Sequence, residues 1–213
     1  MRTPTPEIPF ALAPGLRPAE RADVESLSGS LVRAFRNDPL HRWIFPDERT
    51  WQRRSPRFWR ALLNTRLGHR LVVTTPALEA VAVWGAPRSQ AANLRDDFPL
   101  LARMAFVLGG SGWRVGRGLS AIGARHPGEP HWYLELLGTD PPHQGRGAAT
   151  ALLTPFLVHC DEERQFAYLE ASQPKNVPFY ERHGFAVCGA VDLPAGPRVT
   201  LMRREPHERA FHP

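Results

Sequence analysis

The stretch "WYLELLGTDPPHQGRGAATALL" constrains the fold most, because an apolar run leads through a glycine-rich loop directly into a helical pattern. Gly145, Gly147, Ala148 and Ala149 carry little or no side chain, so a ligand can approach the backbone closely. The first turn of a helix also presents unpaired amide donors and a partial positive charge. The segment therefore predicts an anion cradle between a strand and a helix, suited to a diphosphate. It lacks the GxxxxGK[ST] pattern of ATP-binding loops.

The rest of the chain predicts a mixed α/β domain. "PFALAPGLRP" favours a short first strand, Val24 to Phe35 an amphipathic helix, and 49–67 a second helix that Pro56 breaks or kinks. "RLVVTT" and "EAVAVWG" predict an antiparallel hairpin. After a helical insertion at about 91–130 come a strand, the glycine loop with its helix, a strand, a short helix and two final strands.

Length and composition limit the function classes. A chain of 213 residues is expected to form one domain, 1–213, with a frayed tail. No apolar run reaches the roughly 18 residues of a membrane span and no secretory signal is visible, so we expect a cytoplasmic protein without membrane contact. The net charge is +6. The arginines are scattered and no nucleic-acid-binding motif accompanies them, so we expect no nucleic-acid partner.

Neither metal binding nor a disulfide is expected. Cys160 and Cys188 lie in apolar periodic segments without CxxC spacing, which predicts buried reduced thiols. The histidines His143, His159 and His183 show no ligand spacing.

Two segments carry a family resemblance. "TDPPHQGRGAATALL" matches the Q/R-x-x-G-x-G/A loop of the GNAT acyl-CoA N-acyltransferases at Gln144, Gly147 and Ala149, and "PKNVPFYERHGF" is similar to a later segment of that superfamily. The second half most resembles puromycin N-acetyltransferase and its relatives. The resemblance implies an α/β (α+β) GNAT fold. Its mixed, mostly antiparallel sheet would have six or seven strands flanked by helices and would splay between the fourth and fifth strands.

The resemblance also implies acetyl-CoA as co-substrate. A backbone N–H near the end of the fourth strand would stabilise the oxyanion. Asn176 would contact the pantetheine arm or simply cap the short helix. The implied cofactor-binding residues are Leu137, Gly138, Thr139, Gln144, Gly145, Arg146, Gly147, Ala148, Ala149, Thr150, Asn176 and Phe179.

Three residues are candidates for the acid–base chemistry. An acceptor ammonium must lose a proton before it attacks a thioester, and Glu135 or Glu170 would take it. The alternative for Glu135 is a solvent-facing side chain or an ion pair with an arginine. Tyr180 matches the tyrosine that serves as general acid in many GNAT enzymes. Its alternative role is packing of the short helix on the sheet.

The acceptor site is expected in the first half of the chain. Asp38, His41, Trp43 and Trp84 would form an aromatic and acidic wall for a cationic amine, although core packing is the commoner fate of tryptophan. The resulting hypothesis is an N-acetyltransferase that acetylates a primary amine of a small molecule, such as an antibiotic or its precursor, by direct transfer in a ternary complex. The protein would be a monomer or homodimer. The alternatives are a protein or peptide N-acetyltransferase and a catalytically silent acyl-CoA-binding module.

Overall fold

The computed structural model describes residues 8–87 and 107–207, which form helices on both faces of one sheet. The helices are α1 (Val24–Ala34), α2 (Pro39–Ile44), α3 (Glu48–Arg66), α4 (Gly112–Gly123), α5 (Ala148–Glu162) and α6 (Val177–Glu181). The strands are β1 (Arg17–Pro18), β2 (Leu71–Thr74), β3 (Ala80–Gly85), β4 (Trp132–Thr139), β5 (Ala167–Ala171), β6 (Ala186–Asp192) and β7 (Arg198–Arg204).

The sheet has seven strands in the order β1-β2-β3-β4-β5-β7-β6. All neighbouring pairs are antiparallel except β4 and β5, which run parallel. The connection from β4 to β5 contains α5, as a parallel pair requires a crossover. The expected mixed, mostly antiparallel α/β fold is confirmed.

Two hydrophobic cores cover the two faces of this sheet. The first core packs α1, α3 and α4 against residues such as Val83 and Leu136, and the second packs α5 against residues such as Leu134 and Leu169. Strand alternation separates the two sets, because successive side chains point to opposite faces. No helix within 8–87 or 107–207 combines the length and apolarity that a membrane crossing requires.

Several details differ from the sequence-based expectations. The first strand is only Arg17–Pro18, since most of the proline- and glycine-interrupted stretch before it is irregular. Helix α2 was not expected, and it begins because Asp38 caps it. Helix α3 continues through Pro56, which lacks a main-chain N–H donor but does not end the helix.

Cys160 is buried as expected, but Cys188 is exposed because β6 lies at the edge of the sheet. Of the expected insertion, 91–106 lies outside the described residues, and the remainder contains α4. The end of the expected frayed tail, 208–213, also lies outside them.

Candidate active site

The candidate site is a cleft where β4 and β5 diverge. The two strands pair only as far as Leu134 and Leu169, although β4 continues to Thr139 and β5 to Ala171. A cavity of about 1490 Å³ occupies the space between them. Its walls include residues from both cores, so ligands that enter from opposite faces of the sheet can meet inside it.

A β-bulge in β4 determines which side chains face each core. Val83 pairs with Leu136, whereas the next residue, Trp84, pairs with Leu134. Glu135 is therefore the extra, unpaired residue of the bulge. Because the alternation shifts by one residue there, Leu134 packs in the second core and Leu136 in the first.

The end of β4 brings three of the expected cofactor-binding residues to the cleft: Leu137, Gly138 and Thr139. A Cβ at Gly138 would lie 2.5 Å from Cδ2 of Leu31, so close packing of α1 requires glycine there. Oγ1 of Thr139 is buried and, within the described chain, has no hydrogen-bond partner. The side-chain amide of Gln144 donates to the Thr139 carbonyl oxygen at 3.0 Å, which ties the loop to the end of the strand.

The glycine loop has the open backbone that the sequence predicts. Gly145 and Gly147 have φ angles of 75° and 86°, in the left-handed region that favours glycine. A Cβ at either position would meet no described atom within 4 Å, which leaves room for a ligand. Gly147 is the N-cap of α5 and supplies no side-chain cap, and the first turn has no acidic residue.

The first-turn residues Ala148, Ala149 and Thr150 line the cleft with the loop, whereas the exposed Arg146 does not. This open, uncapped helix end fits the diphosphate of a coenzyme A thioester.

Tyr180 on α6 lines the cleft with a protonated hydroxyl. The residue is 9% exposed, and its ring makes edge contacts with Phe179 and Phe185. Burial, and then the charge of Asp38, raise the pKa of Tyr180 above its ordinary value. Tyr180 therefore packs the helix and also keeps a proton available to the cleft.

Asn176 and Phe179 flank this tyrosine and both line the cleft. Asn176 occupies the N-cap position of α6, but its side chain makes no capping hydrogen bond. In the structure the Asn176 side chain therefore does not cap α6.

Asp38 and His41 line the cleft, as expected, but both are integrated into the local structure. Oδ1 of Asp38 accepts the His41 backbone N–H at 2.9 Å, and Oδ2 accepts the Ser172 hydroxyl at 2.5 Å. Burial raises the pKa of Asp38 despite these bonds. His41 stacks on Trp59, and burial lowers its pKa to about 3, so its ring is neutral.

The structure places Trp43 and Trp84 outside the cleft wall. Trp84 is fully buried in the second core and stacks on Phe156 at 4.7 Å, because its position in β3 directs it to the α5 face. The Trp43 indole N–H donates to the Pro194 carbonyl oxygen, and its ring packs in the first core. The expected aromatic wall is instead built by Phe35, Phe58, Trp59 and Tyr133.

Glu135 is held by two arginines. Its Oε1 lies 2.7 Å from Nε and 2.6 Å from Nη2 of Arg66, and its Oε2 lies 3.7 Å from Nε of Arg70. The side chains of Arg66 and Arg70 are 5% and 4% exposed. The arginine-paired alternative for Glu135 is therefore the arrangement that the structure adopts.

Glu170 has a different environment. The Tyr133 hydroxyl donates to its Oε2 at 2.6 Å, and Nδ1 of His126 lies 3.1 Å from its Oε1. Burial, and then the charge of Glu170, raise the pKa of Tyr133 well above its ordinary value, so this phenol remains a donor. Glu170 thus faces the cleft between a neutral donor and an imidazole.

His126 and Tyr133 belong to a cluster that sequence reasoning missed. His131 and Tyr168 complete it. The ring centroid of His126 lies 4.8 Å from those of His131 and Tyr133 and 5.1 Å from that of Tyr168. Strand alternation is a signal for part of it, since Tyr133 and Glu135 are two residues apart on β4, and Tyr168 and Glu170 on β5. His126 gives no such signal because it follows α4 in the insertion.

No group of three or more His, Cys, Asp or Glu side chains is placed to hold a metal ion within 8–87 and 107–207.

Comparison with known proteins supports the same interpretation. The sequence profile of the acetyltransferase (GNAT) domain matches residues 74–206, which include β3, β4, the glycine loop, α5, β5 and α6. An uncharacterized N-acetyltransferase of Schizosaccharomyces pombe is 24% identical over 204 residues, covering 88% of this chain and 81% of the yeast protein.

Two solved structures illustrate the fold. A Corynebacterium glutamicum protein, described as histone acetyltransferase HPA2 and related acetyltransferase, superposes with a TM-score of 0.66 at 24% identity, covering 94% of this chain and 100% of that one. The polyamine N-acetyltransferase of Drosophila melanogaster, which forms N-acetylagmatine, superposes with a TM-score of 0.59 at 15% identity, covering 89% and 98%. At these sequence identities the two structures show that the fold is shared and nothing further.

Proposed function

The chain belongs to the acetyltransferase (GNAT) domain family, and on that premise we propose that it acetylates a primary amine of a small molecule with acetyl-CoA. Transfer is direct, within a ternary complex of enzyme, acetyl-CoA and amine. The observation that carries this proposal is the cleft at the β4–β5 divergence, which the glycine loop and Glu170 both line. Both cores pack on the same sheet, which supports treating residues 1–213 as one catalytic domain.

The glycine loop and the first turn of α5 hold the diphosphate of acetyl-CoA, which supplies an activated acyl group. Backbone amides from Gln144 to Ala149 provide the donors, and no basic side chain from the cleft wall is needed. The end of β4, from Leu137 to Thr139, pairs with β3 but not with β5, and on the β5 side one backbone N–H can stabilise a developing oxyanion. Asn176 donates to or accepts from the pantetheine arm.

Glu170 is the general base that takes a proton from the acceptor ammonium. A general base accepts a proton from the acceptor ammonium. The two guanidinium groups at Glu135 oppose this transfer, because arginine stays protonated and its positive charge favours the ionised carboxylate. Glu170 is held by a neutral phenol and an imidazole, which leave it able to accept the proton. Glu135 instead stabilises the local structure through its arginines.

Tyr180 is the general acid that protonates the departing thiolate. Its raised pKa keeps the phenol protonated at neutral pH, so the proton is in place when the thiolate departs. A general acid of this kind contributes about 10²- to 10⁴-fold to the rate. Tyr180 lines the same cleft as Glu170, so the base and the acid act on one bound pair of substrates.

The acceptor is a small molecule whose amine points to Glu170. The first-core side of the cleft is lined by aromatic and apolar side chains, which suit an apolar body attached to one amine: Phe35, Phe58, Trp59, Leu62, Val115 and Tyr133. The resemblance of the second half to the puromycin N-acetyltransferase group also supports a small-molecule acceptor.

Thiol release from acetyl-CoA tests the proposal with a panel of acceptors: tyramine, phenethylamine, agmatine, spermidine, puromycin and a lysine-containing peptide. We expect at least one small amine to accelerate release and to be recovered with one added acetyl group. Acceleration by the peptide alone would favour a protein-modifying enzyme. Binding of acetyl-CoA without acceleration by any acceptor would favour a silent acyl-CoA-binding module.

A further inference from the structure

The insertion before β4 contributes one side chain to the environment of the base. His126 follows α4, and its Nδ1 lies 3.1 Å from Oε1 of Glu170. The imidazole side chain is 20% exposed and the Glu170 side chain 9% exposed, so the pair links the interior of the cleft to solvent. Both residues line the cavity.

Aromatic rings hold the imidazole in place on several sides. Its ring meets Tyr133 edge-on at 4.8 Å and at 90°, and Tyr168 at 5.1 Å and 81°. The ring of His131 lies 4.8 Å away. These contacts fix the plane of the His126 ring and therefore the direction of its Nδ1 bond to Glu170.

The other titratable groups of the cluster do not compete with His126 for the contact with Oε1 of Glu170. The pKa of His131 is lowered, chiefly by burial, and its Nδ1 donates to the Glu129 carbonyl oxygen at 2.7 Å. The pKa values of Tyr133 and Tyr168 are raised, chiefly by burial, so both rings stay neutral. Arg203 on β7 and Cys188 on β6 influence the cluster from neighbouring strands.

We propose that His126 is the positioning residue of the base: its Nδ1–H holds Oε1 of Glu170 while the Tyr133 hydroxyl holds Oε2, so that a free lone pair faces the acceptor amine. This inference rests on the proposed function. It adds to that function a residue that orients the base without contacting either substrate.

Two substitutions separate the donor from the ring. His126→Phe keeps an aromatic ring against Tyr133 and Tyr168 but has no donor, whereas His126→Asn keeps an N–H near the Nδ1 position and cannot become charged. With the acceptor that the panel identifies, we expect kcat in His126→Phe to fall about 10- to 100-fold, the range for a lost hydrogen bond to a charged group. His126→Asn should retain most of the parent kcat.

The split between kcat and KM distinguishes positioning from simple support of the fold. In His126→Phe the KM values for the amine and for acetyl-CoA should stay within about threefold of the parent while kcat falls, because the donor orients the base and contacts neither substrate. His159→Phe is the matched control: the His159 ring packs on Phe10 at the opposite face of the sheet, and its replacement should leave kcat and KM unchanged. Parent kcat in His126→Phe, or a kcat in His126→Asn as low as in His126→Phe, would overturn the proposal.

A measurement that needs no acceptor keeps the test independent of the proposed function. The Nδ1–H proton of His126, followed by NMR, should resonate at higher field in Glu170→Gln than in the parent, because an amide oxygen is a weaker acceptor than a carboxylate. An unchanged resonance would show that the two side chains are not hydrogen-bonded and would contradict the proposal. Failure of all amines in the thiol assay, with a changed resonance, would instead remove the proposed function and leave the His126–Glu170 contact intact.

Discussion

The two strands that diverge at the cleft each carry one carboxylate, and the surroundings of the two differ in charge. On β4, Glu135 accepts from Arg66 and lies near Arg70, and both arginines are almost fully buried. On β5, Glu170 accepts from Tyr133 and contacts His126. The residue type is the same. Permanently charged arginines hold Glu135 in a structural role, whereas the phenol and the imidazole leave Glu170 able to accept a proton.

The largest effect is expected for Glu170→Gln. Removing the base should lower kcat by about 10²- to 10⁴-fold, because the amide keeps the shape of the side chain and cannot accept the proton. Steady-state thiol release measures kcat, and circular dichroism checks the fold. A loss smaller than that caused by Glu135→Gln would reverse the assignment of the two carboxylates.

Tyr180→Phe tests the general acid independently of the two carboxylates. Turnover should drop well beyond tenfold, since the phenol supplies the proton to the thiolate. The affinity for acetyl-CoA, measured by calorimetry, should stay nearly constant because the ring and its contacts with Phe179 and Phe185 remain. Equal turnover in the variant would remove Tyr180 from the mechanism.

Tyr133→Phe tests the neutral donor at Glu170. We expect kcat to fall about tenfold, at the lower end of the range for a lost hydrogen bond to a charged group. Steady-state thiol release measures kcat, and turnover equal to that of the parent would contradict the account of the cluster.

The smallest effect on turnover is expected for Glu135→Gln, within about threefold of the parent at saturating substrates, since no step requires a proton on Glu135. Its effect should appear in stability instead, as a loss of roughly 1–3 kcal/mol in the free energy of unfolding, because a buried charge-assisted contact with Arg66 is weakened. Urea denaturation measures the loss. Glu181→Gln, at an exposed position, is the control and should leave the stability unchanged.

Local patterns in the sequence predict the fold well. Alternation and glycine placement suffice to predict β4, the loop at 145–147 and α5, because each depends on neighbours in the chain. The divergence of β4 and β5 was expected only through family resemblance. The bulge at Glu135 was not expected at all, since it arises from the pairing of β3 with β4.

The site was predictable only in part, because several of its contacts join distant segments. Glu135 and Arg66 are 69 residues apart, and His126 and Glu170 are 44 apart, so no local pattern reveals either pair. Trp84 was proposed for the acceptor wall, but side-chain alternation along β3 points it towards the second core. Applying the strand period to each candidate side chain would have identified that placement from the sequence.

A crystal structure of the complex with acetyl-CoA tests the central claim most directly. The account predicts that the diphosphate lies on the backbone amides from Gln144 to Ala149, that the acyl carbon opens towards Glu170, and that Arg66 still holds Glu135. A diphosphate bound elsewhere would contradict the account, as would Glu135 released from Arg66 and turned towards the acyl carbon.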